Sequence, residues 1–231
     1  MTTRPAAASP RPPAFPPAPW QLNGHGLQGI FLVSIERARQ LVPAPLRVRA
    51  IAPGYTLGAI SAGRYDDTGT LAYSELIVSP ALVKTRDRTG LWISHIYVDS
   101  EVSQAGGEQI WNLNKQLARF EWTQDRRGLT VTDGAASLCC LRALSMLPVW
   151  MPPLPIPAYS VHRSRCTYFR GHFRSRPHVG IIRCSIAADS PLAGVVPDQR
   201  LFGSRHDRAS MLADAPVLDI ALESEPAHSH G

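Results

Sequence analysis

The sequence predicts a β-rich α+β fold of mostly antiparallel strands with few, short helices, and three observations carry that expectation. Short β-branched or aromatic segments recur between turn residues over 55–64, 72–78, 91–99, 119–123, 129–132, 135–144, 159–170 and 179–187. Asp133-Gly134, between two of them, is a strong hairpin signal, because both central residues of that turn want positive φ. Helical periodicity, by contrast, is confined to brief stretches.

Ser34 can cap a short helix over Ile35 to Leu41, which Pro43 and Pro45 stop before an extended segment from Leu46 to Ile51. After Gly106-Gly107, residues Glu108 to Ala118 carry apolar side chains three and four apart, which predicts a second helix. On it, Ile110, Leu113 and Leu117 form one stripe. Trp111, Asn114, Lys115 and Ala118 form the neighbouring one, so Lys115 stacks beside Trp111 and away from the solvated face. The proline-dense stretch from Pro148 to Tyr159 is expected to be an extended loop, since proline cannot donate to a sheet ladder.

A chain of 231 residues is long enough for one sizeable core, and a single domain is expected over 20–222. Residues 1–19 form a Pro/Ala-rich flexible arm and 223–231 a polar tail, whose His228 and His230 read as tail residues rather than metal ligands. Apolar residues make up 44% and charged residues 18%, as in ordinary globular proteins. No apolar run reaches transmembrane length, and the N-terminus lacks the continuous apolar stretch of a secretory signal, so the expected address is cytoplasmic. Cys139, Cys140, Cys166 and Cys184 show neither a C-x-x-C pair nor zinc-ligand spacing, and reduced thiols are expected. The net charge of +6 favours anionic partners without choosing between a nucleic acid, a membrane surface and a small carboxylate.

Lys84 and Lys115 are the only lysines, so only two side chains can supply an amine for imine chemistry. Lys84 lies in the polar run V-K-T-R-D-R-T-G, where a solvated ammonium is expected. Lys115 lies in I-Y-V-D-S-E-V-S-Q-A-G-G-E-Q-I-W-N-L-N-K-Q-L-A-R-F-E-W, from Ile96 to Trp122. That run resembles the signature of the acetoacetate decarboxylase-like superfamily, as do Y-S-E-L-I at Tyr73 to Ile77, P-P-A-P-W-Q-L-N-G at Pro16 to Gly24 and V-P-A-P-L at Val42 to Leu46. The resemblance runs from about residue 15 to about residue 125 and thins afterwards.

What the resemblance implies is an antiparallel sheet curved into a cone or barrel around a cavity, with Lys115 as the imine-forming nucleophile on the short helix. Glu75 then matches the family's catalytic-pocket glutamate, as acid/base or carboxylate-positioning group. The amine condenses with a ketone to an iminium, which accepts the electrons released when a neighbouring carboxylate leaves as CO₂. No organic cofactor or metal is implied, because the iminium is the electron sink; the partner is a small keto acid, and the family tends to form homo-oligomers. An amine with the ordinary value of about 10.4 is protonated at pH 7, so such a site must keep it neutral. Gln116 stands where the decarboxylase has a second lysine, which leaves burial beside Trp111 as the expected means. Asn114 replaces the proline before the nucleophile, Glu108-Gln109 its R-E pair, no arginine occurs in N-G-H-G-L-Q-G, and the upstream glutamate position falls near Ile60.

Trp111, Asn114, Gln116, His95 and Tyr73 are the candidate pocket residues beside Lys115 and Glu75. Tyr73 and Glu75 alternate onto one strand face, and His95 shares a face with Tyr97 and Ile93. Trp111 is also simple core packing in the plainer alternative, and His95 a satisfied strand histidine. Decarboxylation, aldol-dehydration or cyclisation of a pyruvyl-type substrate, and non-catalytic small-molecule binding all remain open. Arginines interleaved with Tyr168, Phe169 and Phe173 resemble a nucleic-acid surface, but strand alternation with arginines outward produces the same pattern. His162, Cys166, His172, His178 and Cys184 lack recognised metal-ligand spacing.

Overall fold

The computed structural model describes residues 14–85, 88–134 and 136–221. The tail expected over 223–231, and the expected arm as far as residue 13, lie outside these residues; Phe15 and Ala18 pack against buried aromatics. The first half of the chain forms β1 (Trp20–Ser34), α1 (Ile35–Leu41), β2 (Arg47–Val48), β3 (Tyr55–Tyr65), β4 (Tyr73–Ser79), β5 (Ala81–Thr85), β6 (Arg88–Trp92) and β7 (His95–Val98). Next come α2 (Glu101–Trp111), β8 (Lys115–Leu117), β9 (Arg119–Trp122), β10 (Gly128–Asp133) and β11 (Ala136–Pro148). The last part forms β12 (Leu154–His162), β13 (Arg165–Arg174), β14 (Pro177–Ile186), β15 (Gln199–Ala213) and β16 (Leu218–Ala221).

These strands make one strongly curled, mostly antiparallel sheet, a half-barrel whose spine is β8-β7-β4-β3-β1-β15. At β15 the sheet forks, because that strand's far edge pairs β14 over its first half and β13 over its last residues. One arm, β13-β12-β6-β5-β2, curls back until β5 follows β4 through Pro80 alone. The other, β14-β11-β10-β9, branches from the first half of β15. A bulge sets one residue of β1, His25, against two of β15, Asp207 and Arg208, which adds local twist where the sheet must bend.

Alternation gives the spine two apolar faces. Leu27, Phe31 and Val33 of β1, Ile60 of β3 and Leu76 and Val78 of β4 join Leu129, Val131, Leu138, Leu141 and Ile182 from the second arm in one core. Trp20, Leu22, Tyr73, Ile96 and Val98 join Trp111, Leu113, Ala158 and Phe169 in a smaller core on the other face. The cavity opens on this second face.

Local signals explain most elements. Ser34 Oγ accepts from the Arg37 amide at 3.2 Å and starts α1 where expected. The β10–β11 hairpin forms with Asp133 opposite Ala136, so its turn lies one residue beyond the expected Asp133-Gly134 pair; Gly134 supplies a positive φ of 56°. The expected strand 91–99 breaks into β6 and β7. The expected strand 159–170 is a hairpin, turned by Arg163 and Ser164, which hold φ of 47° and 55° without the usual Asn or Gly.

Two expectations are corrected. Part of the proline-dense stretch is sheet: Pro155 and Pro157 lie in β12, where β6 pairs only Ala158 and Tyr159, so the prolines occupy a length with one ladder partner. The second helix runs from 101 to 111 rather than 108–118, and Lys115 heads β8, parallel to β7, rather than riding on the helix. Ser100 caps its start by accepting from the Ser103 amide at 3.2 Å. Its end is set by Asn112 in the left-handed region (φ 53°), whose amide donates to Glu108 O at 3.1 Å in a left-handed cap, with the Leu113 amide donating to Gly107 O at 3.1 Å. Asn112 Nδ2 also donates to His162 O at 3.0 Å and Arg165 O at 2.9 Å, tying the reversal to the β12–β13 turn.

Among the described residues no helix is long and apolar enough to cross a membrane. Asn112→Ala removes both carbonyl partners and puts a Cβ-bearing residue with no local side-chain hydrogen bond at positive φ; a loss of about 2 kcal/mol is expected in urea unfolding.

Candidate functional site

In β8 only Lys115 turns inward; Gln116 and Leu117 are exposed. Strand pairing puts Lys115 in one row with Ile96, Ile77, Ser61 and Gln28, while the adjacent inward row holds Glu75, Gly63 and Gly26. Lys115 therefore reaches across one row to Glu75, and its Nζ donates to Glu75 Oε1 at 2.8 Å. Both side chains are buried, Lys115 being 6% exposed and Glu75 5%. Nζ also donates to Ser103 Oγ at 3.0 Å, and it stands 5.1 Å from the Tyr73 ring centre and 5.9 Å from that of Trp20.

The carboxylate is held from its other sides by phenols. Tyr73 Oη donates to Glu75 Oε1 at 3.3 Å and Tyr65 Oη to Oε2 at 3.5 Å. Burial first, and then the facing Glu75 carboxylate, push both phenols well above the ordinary tyrosine value, so they stay protonated donors.

Helix α2 builds the wall behind the amine. Gln104 Nε2 donates to Lys115 O at 2.8 Å and fixes the strand, and Ser103 supplies the hydroxyl. A Cβ on Gly107 would lie 2.4 Å from Lys115 Cε, and one on Gly106 would lie 2.6 Å from the Trp20 ring. The glycine pair thus lets the helix press against both side chains. On β3, a Cβ at Gly63 would meet the Tyr65 ring at 2.9 Å, so that glycine gives the phenol its path toward Glu75.

The pair stands on the wall of a cavity of about 190 Å³. Trp20, Tyr73, Ile77, Leu91, Ile93, Ile96, Trp111, Ile156, Phe169, Phe173 and Met211 supply much of the lining. Among the described lining residues there is no arginine, and Lys115 is the sole lysine. At another part of the wall His206 bonds through Nδ1 to Ser175 Oγ and through Nε2 to Ser204 Oγ, each at 2.8 Å. Burial lowers its pKa to about 4, so the ring is neutral at pH 7.

Of the residues singled out in the sequence, Lys115, Glu75, Tyr73 and Trp111 meet at this wall. Asn114 and Gln116 do not; both are exposed on the outer side of the chain around β8. His95 does not either: Ile96 is the cavity-facing residue of that pair, and His95 shares the opposite face with Tyr97, hydrogen-bonded to Ser94 Oγ at 2.9 Å. Ile60 likewise points into the larger core, and Ser61 is the residue beside the pocket. Trp20, Tyr65 and Ser103 are additions. Only the β3–β4 register, pairing Tyr65 with Tyr73, makes the second phenol visible.

Along β13, Phe169, Gly171 and Phe173 face the cavity while Arg170 and Arg174 are exposed, which is strand alternation. No group of three or more His, Cys, Asp or Glu among the described residues is placed to hold a metal ion.

A curled half-barrel whose inner wall carries one buried lysine against one buried glutamate defines the class: an acetoacetate decarboxylase-like scaffold. The acetoacetate decarboxylase (ADC) family model matches residues 3–143, well over half of the chain and inclusive of Glu75 and Lys115, and the chain belongs to that family. Protein NEOXANTHIN-DEFICIENT 1 of Solanum lycopersicum is 32% identical over 102 residues, 44% of this chain and 34% of that protein. Its namesake in Oryza sativa subsp. japonica is 32% identical over 106 residues, 46% of this chain and 35% of that protein, so the chain spans about a third of these relatives' length. An acetoacetate decarboxylase structure superposes with a TM-score of 0.66 at 16% identity, covering 90% of this chain and 92% of that one. The enduracididine biosynthesis enzyme MppR, solved in complex with pyruvate, superposes with a TM-score of 0.65 at 13% identity, covering 87% and 91%. At such identities the likeness establishes the fold alone.

Gly107→Ala is expected to push Lys115 off Glu75 and to cost about 1–3 kcal/mol in urea unfolding, because the added methyl lands on the lysine stem. His206 has a folded value of about 4 against 6.5, so the unfolded chain binds the extra proton between these values. Its contribution is complete above about pH 6.5 and falls as pH drops toward 4, by about 2 kcal/mol at pH 5. Stability curves at pH 7.5 and 5.0 for wild type and His206→Gln check this, the variant being expected to show the smaller drop.

Proposed function

We propose that the chain is a Schiff-base lyase of the decarboxylase type, with Lys115 as nucleophile and Glu75 as its proton partner, acting on a β-keto or other keto acid. The observation that carries this is the 2.8 Å contact between a buried amine and a buried carboxylate on the wall of an apolar cavity. A catalytic amine needs a base within hydrogen-bond reach, and Glu75 is in that position.

The steps balance with these two groups, water and one proton taken up from solvent. Glu75 takes a proton from the Lys115 ammonium, and the neutral amine adds to the ketone carbon to give a carbinolamine. Glu75 returns the proton to the hydroxyl, which leaves as water, and the iminium forms. In a β-keto acid the bond to the carboxylate carbon then breaks, CO₂ leaves, and the electron pair enters the enamine. A proton drawn from solvent adds at the enamine carbon, and hydrolysis of the resulting iminium by water releases the ketone and restores the amine. Tyr65 and Tyr73, held protonated, stabilise Glu75 as a carboxylate at the stages where it bears charge.

A second reading, a binding protein with no turnover, is favoured by the same contact taken as a resting ion pair, together with a lining that offers no arginine to a carboxylate. Incubation with keto acids of graded length under sodium borohydride, followed by peptide mapping and CO₂ measurement, separates the two. The expected outcome is a reduced adduct on Lys115 with CO₂ release, absent in Lys115→Met and slowed at least a hundredfold in Glu75→Gln. Ligand binding with neither adduct nor CO₂ would establish the binding protein instead.

A further inference from the structure

We infer that the compound taken into this cavity is a carbonyl compound with a long, uncharged apolar chain, not a three- or four-carbon keto acid; this rests on the imine-forming role of Lys115. The first observation is charge. The one lysine of the lining is already paired with its one glutamate at 2.8 Å, and the described lining contains no arginine. His206 is neutral with both ring nitrogens engaged by serines, so it offers no free donor to an anion. A small acid, most of whose surface is its carboxylate, would be stripped of water here with the reacting amine as the one cation to meet it, the other polar lining groups, His25, Gln28, Ser61 and Ser79 among them, being uncharged.

The second observation is extent. The inward side chains of β4 that line the cavity run from Tyr73 through Glu75 and Ile77 to Ser79, a row about 20 Å long. Leu91, Ile156, Phe169, Phe173 and Met211 enclose the space from the other strands. Placing a carbonyl at Lys115 leaves a wall of hydrocarbon far longer than a methyl group needs. An alkyl chain laid along it gains about threefold to fourfold in affinity per methylene. In a β-keto acid of this kind the carboxylate lies beside the iminium and departs as CO₂, and the body that remains is uncharged.

The test uses the whole chain and the series 3-oxobutanoate, 3-oxohexanoate, 3-oxooctanoate and 3-oxodecanoate. Two readouts are taken: borohydride-trapped adduct on Lys115, and displacement of Nile red, an uncharged apolar dye, from wild type and from Lys115→Met. Half-saturation is expected to fall about tenfold for each two-carbon step in both readouts. Ala209→Phe, which fills part of the wall without touching the amine, is expected to flatten the series at its long end. Equal trapping of the shortest and longest acids, with no length-dependent displacement of dye, overturns the inference and leaves the imine reading standing. Length-dependent displacement with no adduct supports the ligand class and overturns the imine reading. Neither adduct nor displacement overturns both.

Discussion

A charged amine and a carboxylate cannot be taken out of water separately, and in this chain they are taken out together. Removing each ion from solvent costs several kcal/mol, which only close contact and further hydrogen bonds offset. The Lys115–Glu75 pair meets that condition with Ser103 on the amine, Tyr65 and Tyr73 on the carboxylate, and the rings of Trp20 and Tyr73 near Nζ. Those six residues come from β1, β3, β4, α2 and β8, so the pair exists only when the spine of the sheet and its helix are assembled.

The spine can serve the site because its other face holds the fold. The larger core, shared with β10, β11 and β14, gathers most of the fully buried aliphatic residues. Residues on the cavity side are therefore released from filling space. Small side chains there, Ala59, Ala158 and Ala213 among them, leave room that a fully packed interior would close. Glycine has the reverse role behind the amine: Gly106 and Gly107 bring α2 so near that Trp20 and Lys115 have a single way to lie. Open space in front and tight packing behind aim the amine into the cavity.

Many of the strands were legible, because alternating β-branched and aromatic runs over 55–64, 72–78, 119–123 and 179–187 mark pleated, half-buried surface wherever they occur. Strands β1 and β15, which carry the fork and bulge, were not. Their polar and glycine-rich runs N-G-H-G-L-Q-G and G-S-R-H-D-R become strand through partners on both sides rather than by local preference. The helix was misplaced by seven residues at each end because Leu113 and Leu117 continue a helical spacing that Asn112 interrupts. The left-handed turn there is held by carbonyls of His162 and Arg165, fifty residues away in sequence.

The sequence by itself determined which residues carry the chemistry's candidate groups: the lone lysine in an apolar, motif-bearing run, and the glutamate two residues beyond a tyrosine on a strand. Resemblance of those two runs to the family's motifs singled them out, and a motif is a property of neighbours along the chain. Tertiary structure alone decided that these two groups touch, that Tyr65, Ser103 and Trp20 complete their surroundings, and that His95, Asn114 and Gln116 stand apart. Strand register and the curl of the sheet make those choices, and each is set by contacts between segments far apart in sequence, which no local pattern records.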